Sequence, residues 1–134
     1  MLEPFDATGW SATLLGLFSV FAAIGALRKP GTWQSLVSEI EKSPALQMIS
    51  GFMELFVGAA IYLLNPWAGG GDLLATVMKA AGGLMMLEAL MVMGFSDIYF
   101  HMWLKNLSAV HRGWALVTLL VGTVLALAGM ARFT

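Results

Sequence analysis

Four stretches of about twenty mostly apolar residues divide this chain, and few folds can accommodate them. A helix rising about 1.5 Å per residue needs about twenty residues to cross about 30 Å of hydrocarbon. The first stretch runs from about Trp10 to Leu27 and stops at Arg28-Lys29-Pro30-Gly31. The second runs from about Ala45 to Leu64. Ser43-Pro44 gives it a cap residue and a first-turn proline, and Asn65-Pro66 ends it because proline cannot continue a helix. The third runs from about Leu73 to Phe95, after an outer turn at Gly69-Gly70-Gly71-Asp72, and the fourth from about Gly113 to Ala131. The expected fold is all-α: one domain over residues 1–134, an integral membrane bundle of four transmembrane helices.

Composition agrees. Hydrophobic residues make up 59% of the 134 residues, charged residues only 11%, and the mean hydropathy is +0.82. A soluble domain carries about 25% charged residues because its surface faces water. Here the surplus apolar surface must face lipid or another chain. A net charge of −1, with seven scattered basic residues, excludes nucleic-acid binding, which needs clustered Lys and Arg. The absence of cysteine removes disulfides, thiolate metal sites and thiol catalysis. The opening Met1-Leu2-Glu3-Pro4-Phe5-Asp6 is acidic, whereas a secretory signal opens on a basic region. The first span is therefore expected to be a retained anchor.

Aromatics mark the span ends. Trp10, Tyr62 and Trp67 are expected at one interface, and Trp33, Trp103 and Trp114 at the other, as a headgroup-level belt. Arg28, Lys29 and Lys42 follow the first span, and Lys105 and Arg112 follow the third. The positive-inside rule then puts both loops in the cytoplasm and both termini outside, as in a bacterial inner membrane. In the first loop, Trp33, Leu36, Val37 and Ile40 share one helical face. A helix over about 32–43 is too short and polar to span, so it should lie flat at the interface. From Asp97 to Arg112 the pattern leaves two options: a short helix capped by Asp97, or a third span continuing to Lys105.

Lipid does not drive helices together, so small residues and polar contacts must. The first span carries Ala12, Gly16, Ser19, Ala23 and Ala26 on one narrow face. The second carries Gly51 and Gly58 with Glu54 between them, and the fourth Ala115, Thr118, Gly122, Ala126 and Gly129. Ten methionines, many in the second and third spans, read as gap fillers.

Glu54, Lys79 and Glu88 are the costly residues, because ionisable groups inside a membrane carry a functional hypothesis. Glu54 lies about 13 Å and Glu88 about 10 Å from the cytoplasmic ends of their spans, by helical rise. Antiparallel neighbours would bring them together, and two carboxylates in a dry site cannot both ionise. Such a pair could relay protons, bind a cation or hydrogen-bond a polar ligand; equally, each Glu could fix the packing. Lys79 is near enough to the outer interface to snorkel out. His101, Lys105, His111 and Arg112 flank the second cytoplasmic loop, where they could meet anionic headgroups or a quinone-like ligand. No metal or other cofactor is expected: neither Glu has a His three residues on, as a di-iron bundle requires. There is no nucleophile elbow, phosphate loop or His-Glu-x-x-His.

Gly25 with Lys29-Pro30, Pro44, and Gly51-x-x-Glu54-Leu55-x-x-Gly58 resemble the DoxX-like superfamily of small four-helix membrane proteins. The resemblance covers the first three spans. It implies a four-helix bundle and a link to quinone-dependent redox chemistry, since some relatives are subunits of thiosulfate:quinone oxidoreductase. Only Glu54, with Gly51 and Gly58, carries over as a matching position.

Three functions follow as expectations. The first is an accessory or scaffolding subunit, packing its small-residue faces against itself or other membrane chains. The second is proton-coupled transport or conduction through Glu54 and Glu88. The third is a quinone-linked or lipid-modifying role at the cytoplasmic interface. The first stands foremost because no catalytic motif is present.

Overall fold

The structure, a computed structural model, describes residues 6–66 and 71–133; for 107–109 it describes the backbone alone. The expectations placed on Met1 to Phe5, Trp67, Gly69 and Gly70 lie outside the described residues. All described secondary structure is helical, in five elements: α1 (Ala7–Arg28), α2 (Thr32–Lys42), α3 (Pro44–Leu64), α4 (Leu73–Gly94) and α5 (Ser96–Ala131).

Local signals account for most of the boundaries. The Asp6 carboxylate caps α1, accepting from the Gly9 N–H at 3.0 Å. The Ser43 hydroxyl caps α3, accepting from the Leu46 N–H at 3.2 Å, with Pro44 in the first turn. Asp72 caps α4, accepting from the Ala75 N–H at 3.2 Å. Between α1 and α2 the chain turns through Gly31 at φ +89°, a left-handed conformation that favours glycine. The 97–112 region follows the first expected option in part: a new helix begins there, but without Asp97 as its cap. α4 stops at Gly94, and α5 begins at once at Ser96. Asp97 sits in its first turn rather than capping it; Phe95 holds the cap position without a side-chain bond. α5 then runs directly into the last span, broken by non-helical backbone at Val110 (φ −140°, ψ 38°).

Four helical segments are long and apolar enough to cross a membrane: α1, α3, α4 and the second limb of α5, Val110–Ala131. Their side chains are sorted by size. Small residues such as Ala12, Ala23, Ala75, Ala89 and Ala115 are buried, while Phe18, Phe21, Phe52, Phe56, Leu63 and Leu120 point outward. Soluble proteins rarely expose apolar patches of more than a few hundred Å². The arrangement suits a solvent of hydrocarbon.

The small residues form two antiparallel seams, α1 against α5 and α3 against α4. In the first, Gly16, Ala23, Gly122, Ala126 and Gly129 are buried and Ser19 half-buried. A methyl group at Gly122 would lie 2.8 Å from the Ser19 Cβ and 2.9 Å from the Gly16 carbonyl oxygen. In the second, Gly51 and Gly58 are buried, and a methyl group at Gly58 would lie 2.9 Å from the Gly82 carbonyl oxygen. At both seams the backbones meet as small-residue membrane interfaces do. Methionines complete the packing: Met78 is fully buried, and Met85 and Met93 lie against Gly58 and Gly51. α2 packs chiefly against α5 and then α3. The Trp33 indole N–H donates to the Ala22 carbonyl at 3.2 Å, pinning α2 to the end of α1.

Candidate functional site

The α3–α4 seam sets the register of the site. Gly51 rests against Ala89 and Met93, and Gly58 against Gly82, Met85 and Met86. Glu54 lies midway between these two close approaches, so the register brings it opposite Glu88. Both carboxyl groups line one cavity of about 220 Å³, near enough to interact with one another.

The first limb of α5 covers that cavity. Because α4 breaks at Phe95, the chain folds back and carries Tyr99, Phe100 and Trp103 over Glu88. The Tyr99 hydroxyl donates to Glu88 Oε2. Burial, and then the Glu88 carboxyl beside it, push the Tyr99 phenol above its ordinary range, so it stays a donor. Phe100 is buried, and its ring meets that of Tyr99 edge-on at 5.5 Å. Trp103 stacks edge-on against Tyr99 at 6.3 Å and against Trp114 at 5.3 Å, tying the two limbs of α5 together across the break. α2 contributes Val37 and Ile40, α3 adds Ser50, and α4 adds Val92. Leu36, expected on the same face of α2, points outward. A cavity with apolar and aromatic walls and a few convergent polar groups is the usual form of a small-molecule site.

The remaining sequence candidates lie elsewhere. None of His101, Lys105, His111 and Arg112 lines the cavity; His101, Lys105 and Arg112 are exposed and His111 half-buried. Among the described residues no group of three or more His, Asp or Glu is placed to hold a metal ion.

Lys79 departs from its expected snorkelling position. It is 9% exposed and turns inward at the opposite end of the bundle. Its ammonium donates to the Tyr62 carbonyl at 2.8 Å and the Asn65 carbonyl at 3.1 Å, and sits 3.8 Å from the centre of the Tyr62 ring. It thus satisfies carbonyls that the end of α3 leaves without helical partners. Tyr62, expected as an interfacial anchor, is half-buried in this cluster.

Sequence reasoning missed two groups here. Asn65, taken only as a helix stop, is fully buried. Its side chain accepts from the Thr8 hydroxyl at 2.6 Å and donates to the Ile61 carbonyl at 2.8 Å and the Ser11 hydroxyl at 3.3 Å. Arg132 pairs with Asp6 at 3.0 Å and Asp72 at 2.9 Å, joining both ends of the chain to the start of α4. The guanidinium holds both carboxyls below the usual carboxylate range, and they in turn raise Arg132. Asn-Pro and Asp in a turn are visible in sequence, but partners so distant along the chain are not.

Comparison with protein-family models, with curated proteins and with solved structures found no match to this chain.

Proposed function

We propose that this chain is a multi-pass membrane protein that holds a small amphipathic molecule, drawn from the bilayer, in the cavity of Glu54, Glu88 and Tyr99. One observation carries this reading: two carboxyl groups and a phenol converge on a half-open cavity at one end of a largely apolar bundle. Ionisable side chains at that depth are costly, and they concentrate where a ligand or ion is handled. The cluster at the other end is different in kind, because there the polar groups bond across helices to one another.

The charge bias of Arg28, Lys29, Lys42, Lys105 and Arg112 supports placing the cavity end at the cytoplasmic face, as in a bacterial inner membrane, with both termini outside. α2 then lies along that interface, with Val37 and Ile40 inward and Ser35, Glu39 and Lys42 outward.

The reading as a scaffolding subunit loses its main support, since the small-residue faces are used within the chain. Conduction through the bundle is also less favoured. About 16 Å of α3 separates Glu54 from Asn65 by helical rise, and Ile61 and Met78 fill the core there. In a DoxX-like reading the amphipathic molecule would be a quinone and the protein a quinone-linked redox subunit.

Native mass spectrometry after gentle extraction tests the proposal. The expected result is a chain carrying a small molecule that is lost in Glu54→Gln and Glu88→Gln. A stable complex with other chains, holding no small molecule and indifferent to both substitutions, would contradict it.

A further inference from the structure

We propose that the molecule this cavity takes is a lipophilic monocation of the alkyl- or arylammonium class, held between the Glu54–Glu88 carboxyl pair and the Tyr99 and Trp103 rings. This rests on the reading of the cavity as a ligand site and adds the chemistry of the ligand.

Charge is the first argument. Among the described residues, the cavity wall holds two carboxyl groups and no Lys, Arg or His. Any negative charge on the pair therefore lacks a basic partner on the wall. A charge in such a medium is stable only when paired, and a cation arriving from the membrane supplies the pairing.

Hydrogen-bond capacity is the second. The single O–H of Tyr99 is already committed to Glu88, and a proton kept by one carboxyl can bridge to the other, so what remains at the pair is mostly acceptor capacity. A quinone carbonyl needs donors; an ammonium needs acceptors or a negative charge. The walls supply the rest. Aromatic faces within about 6 Å attract cations, most strongly where water is excluded, and Val37, Ile40 and Val92 offer apolar surface for an alkyl or aryl tail. The protein uses the same chemistry elsewhere: Lys79 brings its ammonium onto carbonyl oxygens and the Tyr62 ring.

The pH dependence follows. Among the described residues, Tyr99 from α5 is the one titratable group on the cavity wall besides Glu54 and Glu88, and α2 presents Val37 and Ile40 there. Acid removes the negative charge from the pair, so cation binding weakens as pH falls.

The test is isothermal titration of the full chain in nanodiscs, with empty nanodiscs as the blank. The probes are benzyltrimethylammonium, its neutral isostere neopentylbenzene, and a short-chain quinone. The expected result is at least a tenfold preference for the cation over the isostere, abolished in Glu54→Gln/Glu88→Gln and retained in Glu88→Asp, which keeps the charge. Equal binding of cation and isostere, or a preference surviving the double substitution, would overturn the proposal. Carboxyl-dependent binding of the neutral probe or the quinone would overturn the cation assignment while leaving the ligand-site reading intact. Binding of no probe, with no small molecule retained on gentle extraction, would remove both.

Discussion

The two ends of the bundle treat polar groups in opposite ways. At the Asn65 end, polar side chains bond to named partners on other helices: Thr8 to Asn65, Lys79 to the end of α3, Arg132 to Asp6 and Asp72. At the Glu54 end, two carboxyl groups share a cavity wall with a phenol and, among the described residues, no base. The first arrangement closes helix ends and joins distant segments, which is what a fold needs. The second joins α5 to α4 by one bond, from Tyr99 to Glu88, and leaves the other carboxyl oxygens on a cavity wall. Polar groups in an apolar bundle therefore differ in meaning according to whether the fold itself satisfies them.

That contrast can be broken or sharpened by substitution. The largest effect belongs to neither end but to the α1–α5 seam. Gly16→Leu should cost about 3 kcal/mol or more, because even a methyl there would lie 2.6 Å from the Gly122 carbonyl oxygen and overpacking adds strain to lost contact. Size-exclusion chromatography should show loss of the monodisperse protein. Next, Asn65→Leu should lower stability by about 1–3 kcal/mol, the usual cost of orphaning buried partners, with ligand retention unchanged. Thermal unfolding and native mass spectrometry together check this. If Asn65→Leu also abolished ligand retention, the separation of the two ends would fail.

Arg132→Gln should have a smaller effect, under about 1 kcal/mol, because its ion pairs are partly exposed and screened by salt. Its sign with pH is fixed by the depressed Asp6 and Asp72. Their contribution is fully present above the unfolded carboxylate value of about 3.9. It is lost as pH falls through the lower folded values. Thermal melts from neutral pH to about pH 3 should thus show a shallower acid loss in Arg132→Gln than in the parent chain. Comparable in size, Tyr99→Phe should change stability by about 0.5–1.5 kcal/mol, one hydrogen bond, while weakening ligand retention measurably.

The legible and illegible parts of this molecule divide by distance along the chain. Span positions came from local hydropathy, and the caps at Ser43 and the stop at Asn65-Pro66 from adjacent residues. The meeting of Glu54 and Glu88 was accessible because antiparallel spans of known rise put both at similar depth. Tyr99 was not: the end of the third span at Phe95 is visible, but the direction in which the next helix folds back over Glu88 is a tertiary contact with no local signal. Lys79 was misread because a long side chain near a helix end can turn toward either lipid headgroups or a neighbouring helix terminus. Only the placement of α3 decides between them. Asn65 looked like punctuation, and its bond to Thr8 joins residues 57 positions apart along the chain.

The most direct test of the central claim is the thermal stability of Glu54→Gln/Glu88→Gln beside Asn65→Leu and the parent chain, each stripped of bound small molecules so that ligand does not stabilise the parent chain. A site kept for binding commonly costs stability, which neutral substitutions relieve. The account predicts a double variant at least as stable as the parent chain, while Asn65→Leu melts lower. A double variant that melts lower than Asn65→Leu would mean that the carboxyl pair holds the bundle together, and would contradict the assignment of that end to a ligand.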